Sequence, residues 1–162
     1  IHPTSGIVLA DGKVIGKDVD YLPDAGVIIE TPGFISYYSG LQNLKVLAGI
    51  KNKIGNLQIR DAMKRVGLDP DLKLSVKKYS LGMRQRLGLA QAMMESPSVL
   101  ILDEPMNGLD KNGVEEIRQL LLSMKNDHKT IVIASHNAED IQVLCDEVYE
   151  MENGKLCNMN TV

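Results

Sequence analysis

The chain has 162 residues, of which 44% are hydrophobic, and carries a formal net charge of -3 at pH 7 with a pI near 5.6. This length can bury one sizeable core, and the acidic balance provides no electrostatic footprint for nucleic acid. No apolar run approaches the roughly 18 residues of a membrane-spanning helix, and no stretch resembles a signal peptide. The aliphatic composition favours a parallel α/β sheet over an all-β sandwich.

The first predicted elements are short strands. Aliphatic residues on both sides of Asp11-Gly12 predict a hairpin at the edge of a small antiparallel sheet. A second aliphatic run begins at Asp24 and ends on the carboxylate of Glu30, and Thr31-Pro32 then breaks it. We interpret this run as a central strand followed by a hinge loop.

Between Ser39 and Glu95 the pattern becomes helical, with apolar residues at helical spacing in two successive stretches. These residues are Leu41, Leu44, Leu47 and Ala48 in the first stretch and Ile59, Ala62, Met63 and Val66 in the second. A further helix is predicted to open at Ser80-Leu81-Gly82. The amino terminus of a helix with Ser and Gly offers unpaired amides and the positive dipole end, which indicates an anion site; an ordinary capped helix is the alternative.

The run from Ser98 to Pro105 is the strand around which the rest of the chain is organised. Four consecutive aliphatic residues that lead to two carboxylates and a proline predict a strand buried on both faces of a parallel sheet. Asp103 and Glu104 would lie at its carboxyl end, where ligands bind in open α/β sheets. Adjacent carboxylates suit one metal ligand and one base that polarises water, and a solvated acidic turn is the alternative.

A polar turn and a helix are predicted to follow this strand. Asn107 to Asp110 form the turn, and Asn112 with Glu115 resembles a helix cap and its partner three residues later. The buried face of the helix is predicted to carry Val114, Ile117, Leu121 and Met124.

The last predicted elements are a strand, a helix and a hairpin. Lys129 to Ala134 is predicted to be a buried strand that ends at His136, again on the carboxyl edge of the sheet. A helix follows over 138–145, and Asn153-Gly154 predicts a terminal hairpin. A lone His before a helix is often a cap or a surface residue, but its place beside the two carboxylates favours a role in the site.

The order and spacing of these motifs resemble the ATP-binding-cassette (ABC) ATPases from Ile1 to Leu156. Tyr79–Arg86 resembles the signature motif, Ser98–Pro105 the Walker B strand with its catalytic Glu, Asn107–Asp110 the D-loop, and His136 the switch histidine. Each motif alone would be weak evidence for the family, but here all of them occur in the order that the family has. The resemblance is therefore specific.

The chain differs from the usual family sequence at two motifs, and both differences are similar to those found in exporters. Most of the family has Gln where this chain has Glu30. The sequence around Glu30 is similar to that of the bacitracin-resistance and lantibiotic-immunity branch of exporters, in which Glu commonly replaces Gln. The signature has Tyr79, Leu81 and Met83 where Leu, Gly and Gln are usual, a form that also occurs in exporter ATPases. Ser80 and Gly82 are retained.

The resemblance implies a P-loop NTPase (RecA-like) fold. Its parallel-sheet core lobe would comprise residues 1–36 and 97–162, with an inserted helical lobe over 37–96 and a small antiparallel β edge. The family's phosphate-binding loop, Gly-x-x-x-x-Gly-Lys-Ser/Thr, does not occur in the sequence. We therefore expect a cassette truncated before this Walker A loop, and a polypeptide that is by itself inactive and does not bind ATP.

The resemblance also implies how a complete site would use ATP and Mg²⁺. Asp103 would hold the metal and Glu104 would polarise the attacking water. Glu30 would help place water and metal, since a carboxylate can serve both; an acidic loop residue without a catalytic role is the alternative. His136 would contact the γ-phosphate.

The implied partners are a second ATPase domain in a head-to-tail dimer and transmembrane permease subunits. Ser80 and Gly82 would grip the nucleotide bound by the other subunit, and Asp110 would couple the two sites. The permease would dock beside the loop from Pro32 to Ser39, which places the protein in the cytoplasm at the inner face of the membrane. The alternatives are a soluble ABC protein that acts on ribosomes or chromosomes, and a fragment that binds no nucleotide.

Overall fold

The computed structural model describes residues 3–22, 24–30 and 33–158. Its strands are β1 (Leu9–Ala10), β2 (Lys13–Val14), β3 (Ala25–Ile28), β4 (Val99–Asp103), β5 (Thr130–Ala134), β6 (Tyr149–Glu152) and β7 (Lys155–Asn158). Its helices are α1 (Gly40–Lys51), α2 (Asn56–Arg65), α3 (Leu81–Met93), α4 (Lys111–Asn126) and α5 (Ala138–Leu144). The predicted strand break at Thr31-Pro32 lies outside the described residues.

Strands β3, β4 and β5 form a parallel sheet in that order, and the two predicted hairpins are the antiparallel pairs β1–β2 and β6–β7. The parallel core and the helical insertion between β3 and β4 confirm the predicted fold class. One detail is wrong: β3 was predicted to be central, yet among the described strands it pairs only with β4 and lies at the edge. A short aliphatic run marks burial but does not reveal how many neighbours a strand has.

The prediction that β4 is buried on both faces is also wrong. Leu100 and Leu102 are buried, but the alternate residue Ile101 is 36% exposed and stands in register with Val27 of β3 and Val132 of β5, which are 38% and 52% exposed. The β3-to-β4 and β4-to-β5 crossovers advance in the same direction along the sheet. Right-handed crossovers of this kind place their helices on the same face, so the described helices cover only one side.

The helices pack on the covered face in one continuous core. Fully buried side chains from four helices meet Leu100 and Leu102 there. Leu44 comes from α1, Met63 from α2 and Leu87 from α3. The predicted apolar face of α4 is buried at Ile117, Leu121 and Met124, whereas Val114 is only half-buried.

Arg86 connects three helices around the start of α3. Its guanidinium donates to the carbonyl of Val66 at 2.6 Å and pairs with Glu116 of α4 at 2.8 Å. Gly67 and Gly113 leave the space it occupies, because a Cβ at either position would lie 2.3 Å and 2.7 Å, respectively, from a guanidinium nitrogen. The position of α3 relative to α4 is therefore closely constrained.

Within the described residues, no helix has both the length and the apolar character needed to cross a membrane.

Candidate functional site

The carboxyl end of the parallel sheet brings the ends of β4 and β5 together. Glu104 follows β4 and His136 follows β5, and an Oε1 of Glu104 lies 2.7 Å from Nδ1 of His136. The same oxygen accepts the backbone N–H of His136 at 3.0 Å. Two bonds from one residue therefore fix the direction of the Glu104 carboxylate.

This pair faces solvent, since the His136 side chain is 90% exposed and that of Glu104 is 35% exposed. An imidazole with its proton on Nδ1 donates to the carboxylate and presents Nε2 outward as an acceptor; a protonated ring presents Nε2–H as a donor. The second carboxylate oxygen of Glu104 has no bond to His136. It can act as a proton acceptor for a molecule that enters from the open edge.

Left-handed backbone conformations mark the ends of two strands at this edge. Glu104 has φ 45° and Glu30, two residues beyond β3, has φ 52°. Such conformations are unfavourable for residues other than Gly and persist where neighbouring contacts hold them, often at functional sites. At Glu104 this conformation is stabilised by contacts that include a hydrogen bond from its backbone N–H to the carbonyl of Ala134 at 2.9 Å.

Asp103 is half-buried beside the end of β3. The bond between them runs from the backbone N–H of Glu30 to Oδ2 of Asp103 at 3.4 Å, so the structure brings the Glu30 backbone, not its carboxylate, against Asp103. No cluster of three or more acidic, His or Cys side chains suited to a metal occurs in the described part of the chain. Asp103 and Glu30 supply oxygen ligands that fit Mg²⁺ only when most of its coordination comes from phosphate and water.

Helix α5 begins two residues after His136, and two contacts hold this helix. Asn137 caps it by accepting the N–H of Glu139 at 2.9 Å. From α4, the buried guanidinium of Arg118 donates to Oδ1 of buried Asp140 at 2.8 Å and to Glu139 at 3.0 Å. Hydrogen bonds to Glu139 and to Asp140 raise the pKa of Arg118, so its guanidinium stays protonated. These contacts hold the segment that carries His136.

The start of α3 lies on the loop that follows Glu104. Ser80 caps the helix, with its Oγ accepting the N–H of Met83 at 3.1 Å. A Cβ on Gly82 would stand 2.7 Å from the carbonyl oxygen of Gly108, so close packing alone requires glycine there. The structure therefore places Ser80 and Gly82 beside the predicted D-loop, and it shows no bond from either to Asp103 or Glu104.

Two further sequence features have local explanations. Tyr79, which stands where Leu is usual, is buried, and its hydroxyl accepts the N–H of Gly40 at 3.3 Å; burial raises the pKa of this phenol. Asp110 caps α4, since its Oδ1 accepts the N–H of Gly113 at 2.9 Å. The predicted cap at Asn112 with Glu115 is wrong, because the helix already begins at Lys111 and only Asp110 has the extended backbone of a cap.

Sequence reasoning missed Gln85. This side chain of α3 is buried, and its Nε2 donates to the backbone carbonyl of Glu104 at 3.1 Å. The available signal was a polar residue whose neighbours three and four positions away on the helix are Leu81, Gly82, Gly88 and Leu89. Such a face is apolar, and an amide buried there needs a hydrogen-bond partner.

A family model described as "ABC transporter" matches residues 1–107. The uncharacterized ABC transporter ATP-binding protein YybJ of Bacillus subtilis is 42% identical over 156 residues, covering 96% of this chain and 72% of that protein. The bacitracin transport ATP-binding protein BcrA of Enterococcus faecalis is 40% identical, with 95% and 51% covered.

The lantibiotic transport ATP-binding protein SrtF of Streptococcus pyogenes is 36% identical, with 96% of this chain and 67% of that protein covered. The chain thus spans between half and three quarters of the length of these relatives. The dimeric ATP-binding cassette MJ0796 bound to ADP and Pi shares the fold at a TM-score of 0.80 and 19% identity, with 98% and 75% covered. The family matched over residues 1–107 and the relationship to YybJ together establish that this chain belongs to the ABC transporter family.

Proposed function

We propose that the chain is the ATP-binding and ATP-hydrolysing part of an ABC exporter of the antibiotic- or peptide-resistance type. The observation that carries this proposal is the pair of hydrogen bonds between Glu104 and His136 at the carboxyl edge of the sheet. Relatives named for bacitracin and lantibiotic transport support the exporter assignment. The activity, substrate and partners of the whole protein are part of the proposal, because the chain spans only part of its relatives.

The residues have the following roles in the proposed reaction. Asp103 would hold Mg²⁺, and Glu30 would help to place the metal and the attacking water. Bound Mg²⁺ would neutralise charge on the phosphates. Glu104 accepts a proton from the water through its free oxygen, while His136 fixes the direction of this carboxylate and contacts the γ-phosphate.

The proposed assembly is a head-to-tail dimer of ATPase domains that docks on transmembrane permease subunits at the cytoplasmic face of the membrane. Ser80 and Gly82 contact the nucleotide of the other subunit, and Asp110 couples the two sites. The core lobe comprises 1–36 and 97–162 and the helical lobe 37–96. A phosphate-binding loop would complete each site, and the printed sequence contains no Gly-x-x-x-x-Gly-Lys-Ser/Thr pattern. The dimeric state of MJ0796 supports such an assembly.

The test uses the full-length protein and the substitution Glu104→Gln, which keeps the shape of the side chain and removes the proton acceptor. We expect single-turnover hydrolysis to fall by about 10²-fold or more, with ATP binding retained. Glu152→Gln, on exposed β6, is the matched control and should hydrolyse like the unmodified protein. Hydrolysis by Glu104→Gln within about threefold of the unmodified rate would overturn the role of Glu104.

A further inference from the structure

We propose that Gln85 is a positioning residue that ties Glu104 to helix α3 of the same chain, and that it thereby couples the two composite sites of the dimer. The inference rests on the proposed function, because it assigns a link between residues that belong to opposite sites. It concerns a residue that touches neither nucleotide nor water in the proposed reaction and acts through the backbone of Glu104.

Gln85 contacts the peptide that determines where the Glu104 carboxylate points. The buried Nε2 of Gln85 donates to the carbonyl oxygen of Glu104 at 3.1 Å. Glu104 has φ 45°, a conformation that a residue with a Cβ adopts only at a cost. A contact that fixes its carbonyl therefore helps to hold the conformation that directs the side chain to His136.

The other bonds to this backbone come from different elements. The N–H of Glu104 donates to the carbonyl of Ala134 on β5, and the carbonyl of Glu104 also accepts the N–H of Asn107 at 3.0 Å within its own turn. Strand β5 and the turn thus hold the backbone of Glu104 in place at the end of β4. Gln85 adds the side-chain bond between this residue and α3.

The start of α3 and the loop after Glu104 are closely packed against each other. A Cβ on Gly108 would lie 2.4 Å from the side chain of Leu81, and a Cβ on Gly82 would lie 2.7 Å from the carbonyl oxygen of Gly108. Arg86 fixes α3 to α4 through Glu116. A displacement of the amino end of α3 is therefore transmitted to the loop and, through Gln85, to the peptide of Glu104.

This arrangement joins two functions that the proposed dimer separates. Ser80 and Gly82 at the start of α3 face the nucleotide bound by the partner subunit, whereas Glu104 serves the nucleotide of its own chain. When the nucleotide bound by the partner contacts α3, the position of the Glu104 peptide in the same chain as α3 is set. This Glu104 serves the nucleotide of its own chain. Through Gln85, catalysis at the nucleotide of one chain therefore depends on contact between its α3 and the nucleotide of the partner subunit.

The test places Gln85→Met in mixed dimers of the full-length protein. Met keeps the length of the side chain and removes the donor. Two differently tagged chains are combined, and one of them carries Glu104→Gln. In the first arrangement Gln85→Met is on that same chain, and in the second it is on the partner chain. Gln91→Met is the matched control, since Gln91 lies on the same helix and makes no side-chain hydrogen bond within the described residues.

If Gln85 positions the Glu104 of its own chain, Gln85→Met on the chain that already carries Glu104→Gln leaves the remaining turnover within twofold. On the opposite chain it lowers the turnover by roughly tenfold to a hundredfold, with the KM for ATP within twofold. A role limited to the folding of α3 or to contact with the partner's nucleotide would lower turnover when Gln85→Met and Glu104→Gln share a chain, and this result would overturn the proposal.

Two further measurements keep the outcome interpretable. Thermal unfolding of the Gln85→Met homodimer identifies loss of folding, and a fall in Tm without the difference between the two arrangements would overturn the positioning role. The Glu104→Gln homodimer separates the two hypotheses. If it retains turnover, the proposed function fails; if it is inactive but Gln85→Met behaves like Gln91→Met in both arrangements, only the role of Gln85 is wrong.

Discussion

At the scale of single residues, the chemistry of the site depends on how the backbone turns at the end of β4. The sequence was sufficient to predict Asp103, Glu104 and His136 at strand ends, because aliphatic runs followed by polar residues mark those ends. It could not predict that Glu104 has a left-handed conformation or that Gln85 bonds to its carbonyl. These features arise between segments that lie far apart along the chain, and no local pattern records them.

His136 provides the first residue-scale prediction. In the full-length protein, His136→Ala should lower kcat more than it weakens ATP binding, because it removes the group that directs Glu104 and the contact to the γ-phosphate, both of which matter most as charge redistributes. Steady-state turnover and nucleotide titration measure the two effects. His128→Asn is the control, since Asn tolerates the left-handed φ of 59° at that turn. Equal losses of turnover and binding in His136→Ala would assign His136 a structural role.

At the scale of elements, helix faces were predicted more reliably than helix starts. The apolar spacing of α2 and α4 identified Ile59, Met63, Ile117 and Leu121 as buried. The start of α4 was misplaced, because Asp110 and Asn112 are both good capping residues and the choice depends on where the chain leaves its turn. Sequence patterns describe the repeat of a helix well and its exact boundary poorly.

The cap provides the second prediction. Asp110→Ala should lower the free energy of unfolding by about 1 kcal/mol, because the N–H of Gly113 loses its acceptor. Asn112→Ala should change it by no more than about 0.5 kcal/mol, because Asn112 lies within the first turn of α4. Urea unfolding followed by circular dichroism measures both. A larger loss in Asn112→Ala than in Asp110→Ala would show that the cap has been assigned to the wrong residue.

The bond between α4 and α5 provides the third prediction. Asp140→Asn should destabilise the fold by roughly 1–3 kcal/mol, because the buried guanidinium of Arg118 loses its buried charged partner and keeps only the exposed carboxylate of Glu139. Asp146→Asn removes an exposed partner of Lys125 between the same two regions and should cost about 1 kcal/mol or less. Denaturant unfolding of the two variants compares them directly. Similar losses would contradict the importance of burial at this contact.

At the scale of the whole molecule, the sheet has one covered and one open face. The sequence predicted burial on both faces because the aliphatic run of β4 has no polar residue in alternation. Burial on the second face depends on what packs there, and the described helices all cross on the first. The register of Val27, Ile101 and Val132 turns three separate exposed residues into one apolar stripe across the strands.

This stripe provides the last prediction. Contiguous exposed apolar surface favours association in water, so the polypeptide of the printed sequence should self-associate as its concentration rises. Val132→Lys, at the most exposed position of the stripe, should reduce this association because bringing two such faces together would bury a charge. Val143→Lys on α5 is the matched control, since Val143 is also exposed, at 43%, but lies outside the stripe. Sedimentation velocity measures both, and equal association of Val132→Lys and Val143→Lys would show that the contact forms through another surface.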